Sequence, residues 1–255
     1  MNLTVISELR QPLCGRVELA FDKSEGEAMT QHDTLKLQIT ADVLLKAYSC
    51  GIFPMAESAD DWQLFWIEPQ IRGILPLDRL LVPKRLSRTI RKANFEIRID
   101  YDFDGVIRGC AEPTPGRSST WINDRIHGLY KDLFNRGHCH TVEVWNKDNC
   151  LVGGLYGVSL GGVFFGESMF SRERDVSKIA LVYLCARLIY GNFIMLDTQF
   201  ITDHLRQFGA VEIDRMKFQE KLNQALKVQG NFSRLPQNSD PNTILDIILK
   251  ARLDI

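Results

Sequence analysis

The spacing of apolar residues changes several times along this chain, and each change marks an element. Val43, Leu44, Ala47 and Tyr48 fall on one helical face between Ala41 and Ser49, with Thr40 as a capping hydroxyl before them and Gly51 as a stop. Trp62 to Ile67 and Gly73 to Leu75 read as extended pieces broken at Pro69. Beyond Val82 the elements lengthen. A helix has Leu86 and Ile90 as its apolar pair, Phe95 to Ile99 reads as a strand, a helix carries Phe103, Val106, Ile107 and Cys110, and Asp124 opens a helix that Gly137 stops. Thr141 to Trp145, Leu151 to Ser159 and Val163 to Phe170 then predict an antiparallel meander turning at Asn146 to Asn149 and at Gly161-Gly162. Asp175 is expected to cap a long helix reaching Tyr190, and a strand at Met195 to Gln199 follows. A helix near Asp203 to Phe208 with Asp203 as its cap, a strand at Val211 to Ile213 and a helix from Asp214 to Lys227 come next. After Pro236 and Pro241, Ile244, Leu245, Ile248 and Leu249 predict a helix that docks on its own protein. This order is α+β, and the change of rhythm divides it into a small N-terminal module over 1–80 and a larger domain over 81–255.

Composition narrows the picture. The chain has 255 residues, 45% hydrophobic and 25% charged, enough for a sizeable core. A net charge of −1 leaves no global field toward polyanions, so any such binding must be local. Lys84, Arg85, Arg88, Arg91 and Lys92 form one basic helical side, readable either as a solvated face or as a phosphate contact. The six cysteines lack the paired spacing of a zinc site and read as reduced core thiols, so no metal is expected. Met1 to Glu8 has no secretory pattern, and no segment approaches the ~20 apolar residues that span a bilayer. A cytoplasmic, membrane-free protein is the expectation. Asp22 to Asp33 reads as a polar connection.

Two polar islands in apolar strands stand out as chemistry. Asp197 and Gln199 sit two residues apart, where strand geometry sends both to one face, and an unpartnered polar group there costs roughly 1–3 kcal/mol. Glu167 lies among aromatics and methionine in Gly166-Glu167-Ser168-Met169-Phe170-Ser171. The pair beside an apolar pocket suits a reaction that removes a proton or orients an amine. Plainer readings exist: Asp197 as a helix cap, Glu167 as a partner of Arg172 or Lys178, and Phe164, Met169 and Leu196 as ordinary core. His138-Cys139-His140 points its neighbours to opposite strand faces rather than to one metal, and His204 beside Asp203 reads as helix-entry packing. Gly153-Gly154 and Gly161-Gly162 read as close strand approach and turning.

In their order, Ala47-Tyr48 with Gly51-Ile52-Phe53-Pro54, Ser119-Thr120-Trp121-Ile122, His140 to Trp145, Leu151 to Val158, Gly166 to Ser171, and Asp197-Thr198-Gln199 with Asp203-His204 resemble the bacterial leucyl/phenylalanyl-tRNA–protein transferases. The resemblance runs from about Ile39 to about Leu235. It departs at Met55, where many members carry Trp after Gly-Ile-Phe-Pro, and at Phe65-Trp66, where a Trp pair is familiar. It implies a GNAT-like mixed-sheet acyltransferase domain behind a small N-terminal α/β domain. It also implies transfer of Leu or Phe, weakly Met, from aminoacyl-tRNA to the N-terminal amine of proteins beginning with Arg or Lys. That modification marks them for N-end rule degradation, and a monomer without cofactor is expected to perform it.

By the same resemblance Asp197 orients and polarises Gln199, whose side-chain oxygen meets the incoming amine, and Glu167 sits beside them against the terminal adenosine or the cationic acceptor residue. Relay of the proton through the tRNA ribose hydroxyl is the other route. Leu155, Phe164, Met169 and Leu196 line the side-chain pocket, Trp121 packs at the adenosine, and Lys84, Arg85, Arg88, Arg91 and Lys92 grip acceptor-stem phosphates. An acyl-CoA-dependent N-acyltransferase would instead carry a Gly-rich pyrophosphate loop where this chain has Ser171-Arg172-Glu173-Arg174-Asp175. A non-catalytic tRNA-binding protein would keep the basic helix and lose the acid and amide, and both are present.

Overall fold

The computed structural model describes residues 39–56, 64–92, 94–113 and 120–253, together with the backbone of 14–16. The expectations for Met1 to Glu8, Asp22 to Asp33, Trp62 and Ser119 lie outside the described residues.

Three short strands, β1 (Cys14–Arg16), β2 (Phe53–Met55) and β3 (Phe65–Pro69), form an antiparallel sheet in the order β1-β3-β2. The helix α1 (Ala41–Ser49) precedes β2, and the Thr40 hydroxyl accepts the Val43 N–H at its start as predicted. The second sheet has seven strands. They are β4 (Ile71–Leu75), β5 (Glu96–Ile99), β6 (Cys139–Trp145), β7 (Leu151–Leu160), β8 (Val163–Ser171), β9 (Met195–Gln199) and β10 (Val211–Asp214), in the order β10-β4-β9-β8-β7-β6-β5. Ile71 to Leu75, ahead of position 81, therefore pairs within the large sheet. All its neighbours are antiparallel except β8 and β9, whose parallel pairing requires a crossover.

Helices cover both faces. They are α2 (Lys84–Arg91), α3 (Phe103–Ala111), α4 (Asp124–Asn135), the crossover α5 (Val176–Tyr190), α6 (Asp203–Arg206), α7 (Arg215–Ala225) and α8 (Pro241–Leu253). Strand alternation divides the core. Leu75, Leu155, Phe164 and Leu196 pack on one face with α2, α5 and α8, while Ile74, Tyr156, Phe165 and Met195 pack on the other with α1, α3, α4 and α7. The mixed α+β architecture and the docked C-terminal helix match the sequence reading, with Ile244, Leu245 and Ile248 buried, although Leu249, expected on the same side, is exposed.

Two caps differ from expectation. Asp175 precedes α5 in a left-handed conformation (φ 65°) and makes no capping bond; its carboxylate instead receives Arg85 at 2.8 Å and Lys178 at 3.2 Å. With Arg174 at 3.7 Å as well, three cations at ion-pair distance outcompete a backbone N–H for the same oxygens. The cap of α6 is Thr202, not Asp203, because the Thr202 hydroxyl takes the Leu205 N–H.

Candidate active site

The parallel strands β8 and β9 are in register only at Val163 to Phe165 against Met195 to Asp197. Just beyond that point each strand carries an extra residue. On β8, Tyr156 of β7 faces Ser168 while Gly157 faces Gly166, so Glu167 is bulged out of the ladder. On β9, Gly73 of β4 faces Gln199 while Ile74 faces Asp197, so Thr198 is bulged. Gln199, the last residue of β9, adopts φ 60°, a left-handed conformation in place of the extended one of a regular strand. The common orientation of Asp197 and Gln199 thus comes from a bulge and a turn, not from regular alternation.

Each side chain is tied down. Asp197 is fully buried and receives Arg72 Nε at 2.9 Å and Arg72 Nη2 at 2.6 Å. The remaining Arg72 donor, Nη1, reaches the Gly51 carbonyl at 3.0 Å, and the guanidinium lies over the rings of Phe53 and Phe218. A buried carboxylate is tolerable only with such a partner. Asp197 Oδ1 also accepts the backbone N–H of Gln199 at 2.8 Å, which fixes the turn. The expected side-chain contact between Asp197 and Gln199 is therefore a backbone one. The Gln199 amide goes elsewhere: its Nε2 donates to Glu167 Oε1 at 3.1 Å, which turns its carbonyl oxygen away from the carboxylate.

Glu167 collects three donors. Tyr48 Oη donates to Oε1 at 2.7 Å, Tyr130 Oη to Oε2 at 2.9 Å, and the two hydroxyls lie 2.5 Å from each other. Neither Arg172 nor Lys178 is its partner, since Arg172 pairs with Glu112 and Lys178 with Asp175. Burial pushes the Glu167 carboxyl up to about 7, the Tyr48 and Tyr130 hydroxyls pull it down, and the nearby Asp197 charge adds to the rise. The result is a carboxyl that changes protonation near neutral pH beside an oriented amide.

The other predicted site residues fall into separate groups. Leu155, Phe164, Met169 and Leu196 come together in the core on the α5 side of the sheet, opposite the carboxylates, with Met169 alone half-buried. Trp121 is half-buried against the core that holds Tyr48 and Tyr130. Lys84, Arg85, Arg88, Arg91 and Lys92 are exposed along α2, and Arg85 is held by Asp175. His140 bonds Asp100 and Ser159 through its two nitrogens, while His204 packs edge-on against Phe208. Among the described residues no group of His, Cys, Asp and Glu is arranged for a metal. Sequence reasoning missed Arg72, Tyr48 and Tyr130 as members of the network. Arg72 had a signal, a lone cation between Ile71 and Gly73-Ile74-Leu75 in an extended apolar piece.

Comparison with known proteins identifies the family of the chain. A family model described as leucyl/phenylalanyl-tRNA protein transferase matches residues 74–223, and a model of the N-terminal domain of that transferase matches 38–70. The leucyl/phenylalanyl-tRNA–protein transferase of Afipia carboxidovorans is 58% identical over 208 residues, covering 82% of this chain and 91% of that protein. That of Nitrobacter winogradskyi is 57% identical over 204 residues, covering 80% and 90%. Among solved structures, L-PGS from Bacillus licheniformis aligns with a TM-score of 0.34 at 10% identity, over 81% of this chain and 68% of that one. The relatives define an aminoacyltransferase. The chain belongs to the leucyl/phenylalanyl-tRNA–protein transferase family, whose members act on aminoacyl-tRNA and protein substrates. No described helix is long and apolar enough to cross a membrane.

Proposed function

We propose that this protein moves leucine or phenylalanine from aminoacyl-tRNA, and methionine weakly, to the N-terminal amine of proteins that begin with Arg or Lys. The observation that carries the reading is the bulged pair of strands, on which Glu167 holds the side chain of Gln199 and Asp197 holds its backbone. The aminoacyl ester is already activated, so the chain has to align an amine with the carbonyl and manage its proton. The Gln199 carbonyl oxygen accepts a hydrogen bond from the incoming amine. As the amine forms its bond to the carbonyl carbon and the ester C–O bond breaks, the amine's proton passes to Glu167 and from there to the departing ribose oxygen, so that the ribose leaves as a hydroxyl and Glu167 returns to its carboxylate. A carboxyl at about 7 is close to the pKa of about 7.7–8.0 of an α-amine, which suits a reversible exchange. Asp197, sealed against Arg72, acts as a positioning residue.

The aminoacyl side chain passes between β8 and β9, where their pairing ends beyond Phe165 and Asp197, to reach the apolar group of Leu155, Phe164, Met169 and Leu196 on the α5 side, with Met169 yielding because its thioether is the flexible, half-buried member. Trp121 packs against the terminal adenosine. Lys84, Arg88, Arg91 and Lys92 contact acceptor-stem phosphates, and Arg85 joins them from its pairing with Asp175. In this reading an N-terminal domain over 1–80, which contributes β4 to the large sheet, precedes a GNAT-like catalytic domain over 81–255, the protein acts as a monomer without cofactor in the cytoplasm, and its products enter N-end rule degradation. The test is incubation with Leu-tRNA and a peptide starting with Arg. Mass spectrometry should find leucine added at the peptide N-terminus, and unmodified peptide under conditions where the tRNA is bound would overturn the reading.

A further inference from the structure

The strand β1 lies along the outer side of β3 and, among the described strands, pairs with β3 alone. Cys14 faces Pro69, Gly15 faces Glu68 and Arg16 faces Ile67, in antiparallel sense. The other side of β3 is taken by β2, with Phe53 opposite Ile67 and Met55 opposite Phe65. Without β1, the outer backbone N–H and C=O groups of β3 form a free sheet edge, and such an edge pairs with an extended chain that offers the complementary groups. Three residues paired on one side make a weak ladder, so a second strand of the same form can take the place of β1.

This edge leads to the reacting groups. The Phe53 ring of β2 meets Phe200, the neighbour of Gln199, edge-on at 6.1 Å, and Gly51 ahead of β2 is held by Arg72. The chain runs along β3 from Phe65 to Pro69 and continues through Gln70 into β4, where Gly73 pairs with Gln199. A strand antiparallel to β3 therefore has its N-terminal end at Pro69, on the way to Gln199, and the distance from Pro69 to Gly73 is at most about 13 Å of extended chain. We propose that the outer edge of β3 docks the acceptor polypeptide, which adds antiparallel in the place of β1 and so delivers its N-terminal amine to Gln199, and that residues 14–16 of this chain compete for the edge in cis. The inference rests on the reading that the acceptor is a polypeptide N-terminus. A parallel strand would point its N-terminus away from Gln199, so the polarity set by β1 is the one the reaction needs. Main-chain hydrogen bonds carry the affinity, so the edge serves acceptors of unrelated sequence beyond their first residues.

Two full-length variants test the assignment, Gly15→Pro and Cys14→Pro combined with Arg16→Pro. One of the two removes ladder donors of β1 whichever residues make the hydrogen-bonded pairs. The readouts are anisotropy of an octapeptide that begins with Arg and is labelled at its C-terminus, and transfer of leucine to the same peptide. In the variant that frees the edge the octapeptide should bind about tenfold more tightly, and its KM should fall likewise with kcat unchanged, as expected where β1 fills the edge roughly nine-tenths of the time. A tripeptide beginning with Arg spans only about 10 Å and does not reach β3, so its KM should be the same in all three proteins. A free peptide of residues 10–20 should displace the octapeptide. Octapeptide affinity unmoved by both variants, or no displacement by residues 10–20, overturns the proposal and puts the acceptor elsewhere. A tripeptide KM that moves with that of the octapeptide overturns it too, because the variants then disturb the site as a whole. Binding that follows this pattern without any transfer of leucine would leave the docking edge standing and remove the reading of the reaction, and transfer without the pattern would do the reverse.

Discussion

Arg72 holds Asp197 through two parallel hydrogen bonds, at 2.9 and 2.6 Å, with both side chains almost wholly shut away from solvent. The same guanidinium binds the Gly51 carbonyl, so one residue ties the segment after α1 to β9. Removing it leaves a buried carboxylate without a partner. Arg72→Met should cost about 3–5 kcal/mol of stability and slow aminoacyl transfer, because Asp197 no longer holds the turn at Gln199. Arg72→Lys supplies charge but not the two-pronged geometry, so it should fall between. Urea unfolding midpoints measure both, and a loss below about 1 kcal/mol for the Met variant would show that the pair is energetically idle.

Glu167 links stability to pH in a definite direction. Its carboxyl stands at about 7 in the folded protein against a usual 4.5, chiefly because burial penalises the charge. The folded state therefore holds the proton longer than the unfolded chain. The associated stability is fully present below about 4.5, declines as pH rises, and is gone above about 7. The span amounts to about 3 kcal/mol. Glu167→Gln should remove this slope, so that denaturation midpoints at pH 5 and pH 8 differ less than in the parent protein. An equal difference in both would assign the slope to other groups.

The Tyr48 hydroxyl stabilises the ionised form of Glu167 by donating to it at 2.7 Å. Tyr48→Phe deletes that donor without changing the ring that packs on Phe165. The pH midpoint of transfer should move up by about one unit, as expected for loss of a hydrogen bond to a charged group. Tyr130→Phe should act in the same direction through the other carboxylate oxygen. The pH–rate profile is the measurement, and an unmoved midpoint in both variants would separate Glu167 from the rate.

Much of this arrangement was legible in the sequence, and the limits have physical causes. The meander around Gly161-Gly162, the long helix before Met195 and the helix of Leu86 and Ile90 follow from local periodicity, which needs no tertiary information. Glu167, Asp197 and Gln199 stood out because apolar strands seldom hold such groups, and they do share one network. Their wiring was not legible. Period-two reasoning assumes an unbroken strand, whereas the bulges at Glu167 and Thr198 change which side chains meet. The partners Arg72, Tyr48 and Tyr130 come from three distant segments, and only the folded sheet brings them together. The capping expectation for Asp175 failed likewise, because Arg85 lies 90 positions away in the chain.

Gln199 offers a test that separates backbone from side chain. Its φ of 60° is a conformation that Asn adopts readily, so Gln199→Asn should fold with nearly the parent stability. The shorter side chain cannot span to Glu167, and the amide is no longer oriented. Transfer should fall by about tenfold or more, the effect of losing one positioned polar group of roughly 1.5–3 kcal/mol, while tRNA affinity holds. Single-turnover rates with saturating Leu-tRNA read the first quantity and filter binding the second.

The basic side of α2 divides into residues of two kinds. Arg88 and Arg91 are exposed, whereas Arg85 already pairs with Asp175 at 2.8 Å. If the helix grips phosphates, Arg88→Ala and Arg91→Ala should each weaken tRNA binding for every donor tRNA alike and reduce the slope of log affinity against log salt by about one. Arg85→Ala should reduce that slope by less, because its charge is partly neutralised before tRNA arrives and only the surplus displaces counterions. Asp175→Asn removes the neutralising carboxylate and should steepen the slope. Measuring affinity across a salt series for these four variants distinguishes a phosphate-binding face from a solvated one: equal slopes throughout would mean that α2 does not touch the nucleic acid.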